Sequence, residues 1–157
     1  MWLNTKKKIK LLALDLIKKY NLVVPIDVYE LAEKLKLAIC ETDTAIDGLI
    51  IPILSKAFPH NAIIVIKNDS IKTRKRFTIA HEIYHYLQHS NISFCSKSES
   101  FAEREANIFA AELLMPEKEV KQAVYTKSVK SIDDLAYLFY VSRQVAEIRL
   151  KELELFW

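Results

Sequence analysis

The stretch Arg76–His89 reads RFTIAHEIYHYLQH and carries H-E-I-Y-H at its centre. In a helix, residues i and i+4 project to nearly the same side, so His81 and His85 can hold one ion between them. Chance alone gives the bare pattern to about one chain of this composition in a hundred, so its neighbours must decide. Phe77, Ala80, Tyr84 and Leu87 form one apolar face, and Ile79, Ile83 and Tyr86 cover much of the rest. A helix that is apolar nearly all round is a buried one, and Thr78, His81, Glu82 and His85 cut a polar stripe through it. Buried imidazoles need partners, and a metal supplies one.

Glu82 follows His81 directly but sits about 100° further round the helix, so it need not bind the ion. It is placed to act as a general base beside it. A catalytic zinc site takes three protein ligands and leaves one position for water. His60 and His89 have no supporting pattern. Downstream, SESFAEREANIFAAELLMP (98–116) offers Glu103 and Asn107 at i and i+4, a carboxylate with an amide that could orient a ligand. Ser100-x-x-Glu103 also has the spacing of a helix-capping box, so spacing leaves both roles of Glu103 open. Helical phase separates the glutamates. With Ala102 at zero, Glu103 falls at about 100°, near Ala110, Leu114 and Asn107, whereas Glu105 falls at about 300°, beside Glu112 on a charged edge expected to be solvated. Phase favours Glu103.

Around this pair of segments the pattern is α+β. Ile9, Leu12, Ala13, Leu16, Ile17 and Tyr20 recur at helical spacing over residues 3–20. Asp27 and Glu30 have capping-box spacing ahead of a second helix carrying Val28, Leu31, Ala32 and Leu35. KLAICE (36–41), GLIIPIL (48–54) and NAIIVIK (61–67) read as three strands of a small, mainly antiparallel sheet. After Ser70 the pattern is helical. The expected organisation is one domain over 1–157: helices to 36, sheet over 36–67, zinc-site helices over 70–115 and C-terminal helices over 116–157. If 61–67 is a sheet edge, it could receive an extended peptide by strand addition; packed inside the sheet, it could not.

A net charge of +3 is too small to argue for nucleic acid, and the basic blocks KKKIK and KTRKR (72–76) read as solvated faces. Cys40 and Cys95 make no disulfide framework, and without a signal peptide they suggest a reducing cytoplasm. No apolar run approaches the roughly 18 residues of a membrane span. Near the C-terminus, Ser131 and Ser142 are expected N-caps of two helices. Leu135, Leu138 and Phe139 would face Val145, Ile148 and Leu150 across the turn, as in a helix-turn-helix. The second helix has only Arg143, Arg149 and Lys151 as cations, offset by Glu147, Glu152 and Glu154, so specific DNA binding is not expected.

RFTIAHEIYHYLQH followed by EREANIFAAELLMP resembles the ImmA/IrrE family of zinc metallopeptidases, and the resemblance extends from AIIVI to LAYLFYVSRQVAEIRL. It implies a mostly helical, zincin-like α+β domain, with Zn²⁺ held by His81, His85 and Glu103 and with Glu82 as the catalytic carboxylate. It implies an intracellular endopeptidase whose substrate is a helix-turn-helix transcriptional repressor, cleaved to derepress genes. One departure is visible: the residue before the second histidine is often glycine in the family and is Tyr84 here, on the side of the helix expected to face the core. The alternative is a non-catalytic zinc-containing module that binds a transcription regulator or DNA. Glu82 weighs against it, because a structural site has no use for a carboxylate beside its ligands. Tyr84, Tyr86, His89, Tyr137 and Tyr140 are all open as oxyanion stabilisers, and the oligomeric state is open too.

Overall fold

The computed structural model describes residues 2–89, 99–126 and 128–155. In chain order the elements are α1 (Trp2–Lys19), α2 (Val28–Lys34), β1 (Leu37–Thr42), β2 (Gly48–Pro52), β3 (Ala62–Lys67), α3 (Lys72–His89), α4 (Glu99–Leu114), α5 (Glu117–Tyr125), α6 (Ile132–Phe139) and α7 (Arg143–Glu152). The class is α+β, mostly helical, with a small sheet ahead of α3, as the sequence predicts. Three predicted caps are made. Asp27 accepts from the amides of Tyr29 and Glu30, Ser131 from Asp134 and Ser142 from Val145. Glu30 does not complete a capping box but pairs with Lys34 at 2.9 Å. Cys95 lies outside the described residues, as do the side chains of His89 and Ser100.

The sheet departs from the expected antiparallel pattern. Its order is β1-β3-β2, with β1 parallel and β2 antiparallel to β3. The most apolar strand takes the middle: Ala62, Ile64 and Ile66 of β3 are fully buried. Both outer strands therefore pair with it rather than with each other. Strand 61–67 is not an edge; β1 and β2 are. Backbone bonds join Asp47 to Lys67 and Ile53 to Asn61 at the ends of the β2 ladder. By the alternation of an antiparallel pair, Gly48 and Ile50 then turn their own N–H and C=O toward the open edge.

Helices α3 and α4 pack closely on each other, α4 also on α1, and β2, β3 and α2 lie against α3. One buried cluster draws apolar side chains from every helix and from β1 and β3, with Ile79, Ile83, Phe109, Leu113, Phe139 and Leu150 among them. Leu138 and Ile148, expected between α6 and α7, are instead exposed, and Ala146 takes a buried place there. The chain turns sharply at this corner, so the contact is made by fewer residues than the pattern suggests. Among the described residues no helix is long and apolar enough to cross a membrane.

Two arginines are buried: Arg76, from a block read as a solvated face, and Arg149, one of the balanced cations of the last helix. Arg76, in the KTRKR block, donates from Nε to the Tyr140 carbonyl at 3.0 Å and from Nη2 to the Phe139 carbonyl at 3.4 Å. It thereby satisfies the end of α6, where Tyr140 adopts a left-handed conformation with φ of 52°. Arg149, on α7, pairs with Glu112 of α4; both side chains are 1% exposed. It also donates to the Met115 carbonyl at 3.0 Å and to Glu152 at 2.8 Å. Arg143 pairs with Asp133 and Lys151 with Glu147, so each cation of α7 has an acidic partner. Helix α7 is thus tied inward. Arg149→Leu should destabilise the fold by roughly 3 kcal/mol, read by urea unfolding, because the buried Glu112 loses its closest cation and keeps only the Glu117 amide and Lys10 at 3.8 Å. Arg143→Ala, removing an exposed pair, should leave urea unfolding nearly unchanged.

Candidate metal centre

Helix α3 presents His81, Glu82 and His85, and α4 packs alongside to bring up Glu103 and Asn107. His81 Nε2 lies 3.0 Å from Glu103 Oε2 and 3.1 Å from His85 Nε2. His85 Nε2 lies 3.0 Å from Glu103 Oε1. One potential ligand atom from each of the three side chains thus falls within 4.8 Å of the others. The second ring nitrogen of His81, Nδ1, is 3.0 Å from Asn107 Oδ1. An amide oxygen only accepts, so Nδ1 donates to it and Nε2 is the ring nitrogen left facing Glu103 and His85. A divalent cation could take the place of the protons between these nitrogens and the carboxylate. Two imidazoles and one carboxylate also form a donor set of catalytic zinc sites. The residues fit the metal.

Glu82 lies beside the cluster and is buried at 8% exposure. Burial, and secondarily the charge of Glu103, push its carboxyl up to about 7. Its neighbour across the cleft is β2. A Cβ added at Gly48 would lie 2.3 Å from Thr78 Cγ2 and 3.1 Å from Glu82 Oε1. Gly48 is the one glycine in the sequence, and this approach explains why no side chain can stand there. The signal was present in the sequence but had no geometry attached to it.

The centre opens into a cleft of about 470 Å³. Phe77, Thr78, His81 and Glu82 line it from α3, Glu103 and Asn107 from α4, and Asp47 and Gly48 from β2 and the residue before it. Ser142, Gln144 and Val145, at the start of α7, line it as well, which the sequence reading did not anticipate. None of Tyr84, Tyr86, Tyr137 and Tyr140 is among the residues lining this cleft. The Tyr84 hydroxyl donates to Glu105 at 3.0 Å and its ring packs 5.3 Å from that of Phe109. Tyr84 therefore faces the core, as expected. Tyr137 and Tyr140 line a different groove with Pro25 and Leu138.

Glu103 does stand with the two histidines, but not in the water-excluded setting that helical phase suggests. Glu103 is half exposed at the mouth of the cleft, with its side chain 50% accessible. Glu105 and Glu112, assigned to a solvated edge, are 2% and 1% exposed. Helix α4 is covered on two sides, by α3 and by α1, so its buried arc is wider than one amphipathic stripe.

A family model described as the IrrE N-terminal-like domain, Peptidase_M78, matches residues 32–151. The chain belongs to this family. It is a metallopeptidase family, and in this IrrE-like chain the match takes in all three strands, α3, α4 and the start of α7. The chain is also similar to a protein of Bacillus phage phi105 described as "Uncharacterized immunity region protein 2", with 33% identity over 104 residues. That alignment covers 62% of the IrrE-like chain and 65% of the phage protein, just under two thirds of the relative's length.

Proposed function

We propose that the protein is a zinc-dependent endopeptidase of the cytoplasm whose substrate is a helix-turn-helix transcriptional repressor. The observation that carries the reading is the convergence of His81, His85 and Glu103 on one point, with the buried Glu82 beside it and an open cleft in front. In this reading the three side chains hold the metal through His81 Nε2, His85 Nε2 and a Glu103 carboxylate oxygen. Bound there, zinc supplies Lewis acidity toward water and a peptide carbonyl. Asn107 keeps His81 in the tautomer that leaves Nε2 free. Glu82 accepts a proton from the attacking water at its carboxylate and returns it to the departing amine. The surroundings that raise its affinity for a proton suit this double task, since the proton must be held and then released.

An extended peptide has a natural place along the open edge of β2. The outward backbone groups of Gly48 and Ile50 would pair with it, and Gly48 borders Glu82 directly. The role considered for strand 61–67 passes to this strand. The similarity to a phage immunity-region protein supports a regulatory setting, and the family resemblance supports a repressor as the protein cut.

The test is incubation with helix-turn-helix repressors, beginning with any encoded near this gene, followed by intact-mass spectrometry of the regulator. Zinc-loaded protein should give two fragments, chelation should stop the reaction and added zinc should restore it. An intact regulator with fully metal-loaded protein would count against the reading.

A further inference from the structure

The wall of the cleft formed by α7 has no assigned task, and its side chains differ in how they are committed. Ser142 accepts from the Val145 amide as N-cap, Asn107 holds His81, and Arg74 is paired with Asp47. Gln144 is exposed, lines the same cleft as Glu82 and Glu103, and makes no side-chain hydrogen bond among the described residues. Its amide can donate and accept at once, as a peptide group requires. Next to it Val145 and, from α3, Phe77 supply partly buried apolar surface.

The mounting of this wall matters as much as its composition. Arg76 fixes the end of α6 to α3, five residues before His81. Arg149 fixes α7 to α4, nine residues after Glu103 at Glu112. The first turn of α7 is therefore bracketed by two buried charges, Arg76 tying the end of α6 to α3 and Arg149 tying the last turn of α7 to α4. A wall held this way meets a ligand with little further ordering, which is the condition for selective recognition.

We propose that the start of α7 is a substrate subsite: Phe77 and Val145 receive an apolar side chain of the peptide, and Gln144 bonds that residue's backbone amide. Gln144 is then a specificity-determining residue. The proposal rests on the peptidase reading for its biological setting, but peptide binding tests it without turnover. A degenerate decapeptide library would be passed over immobilised, zinc-loaded Glu82→Gln protein, and the retained peptides sequenced and titrated. Retained peptides should favour an aliphatic or aromatic residue at one position. Adding Gln144→Ala should weaken binding about 3–10-fold, the effect of one hydrogen bond, while that preference persists. Adding Val145→Ala should flatten the preference instead. Gln144→Asn, which keeps the amide, should recover part of the lost affinity. Unchanged affinity in Gln144→Ala, an unchanged preference in Val145→Ala, or no retained peptide would each overturn the subsite. Cleavage of the same library by the wild-type protein reports separately on the peptidase reading.

Discussion

Glu82→Gln should keep stoichiometric zinc and a native unfolding transition while lowering peptide cleavage by about 10²–10⁴-fold, the range contributed by a positioned general base. The substitution preserves the shape of the side chain that abuts Gly48, so packing against β2 survives. It removes only the oxygen that carries the proton. Metal content, kcat and KM measured together decide the matter, and the loss should fall on kcat. Cleavage at the wild-type rate would remove Glu82 from the mechanism.

The same variant has a signature in the metal-free protein. The Glu82 carboxyl, raised from 4.5 to about 7, binds its proton more tightly when folded than when unfolded. A group with a raised folded pKa contributes stability that is complete below its unfolded value and is lost as pH rises through the folded one. Metal-free wild-type protein should therefore lose stability between about pH 5 and pH 8, by on the order of 2 kcal/mol. Urea titrations across that window should show the slope in wild type and its absence in Glu82→Gln.

Glu103→Ala and Glu105→Ala should separate cleanly. Loss of Glu103 removes one of the three converging groups and should weaken zinc binding by at least about a hundredfold. That exceeds the roughly 10–100-fold expected from losing a group that only orients a ligand, as in Asn107→Ala. Because Glu103 is half exposed, its removal should barely alter unfolding of the metal-free protein. Glu105→Ala should do the reverse. It deletes the buried acceptor of the Tyr84 hydroxyl and should cost about 1–3 kcal/mol while zinc stoichiometry holds. Competition titrations against a chromophoric chelator, run beside urea unfolding, read both effects. Metal loss in Glu105→Ala with retention in Glu103→Ala would reverse the assignment.

The helices and the core of the site were legible because each announces itself locally. The caps at Asp27, Ser131 and Ser142 lie one turn from the amides they bond, and His81 and His85 share a face by helical geometry alone. What escaped depends on which element lies across from which. Glu105 and Glu112 look solvated on an isolated helix and become buried because α3 and α1 pack on α4, where Tyr84 reaches Glu105 and Arg149 reaches Glu112. Arg149 belongs by sequence to a balanced surface charge pattern; its partner is thirty-seven residues away. Strand order was hidden for the same reason, since alternation fixes faces but not neighbours. Gln144 and the wall of α7 could be found only once α7 was seen to close the cleft.

The β1-β3-β2 order also sets a timetable for biosynthesis. A nascent chain that ends before Ala62 holds both outer strands and nothing for either to pair with, because neither ladder exists without β3. Until Lys67 has left the ribosome, Leu37–Thr42 and Gly48–Pro52 carry unsatisfied backbone groups and apolar side chains, the features that recruit neighbouring chains. Helix α3, which must seat against β2 and β3, comes later still. With the shared partner last of the three strands, neither ladder can form before it emerges, and the length of unpaired strand is greatest just before that point.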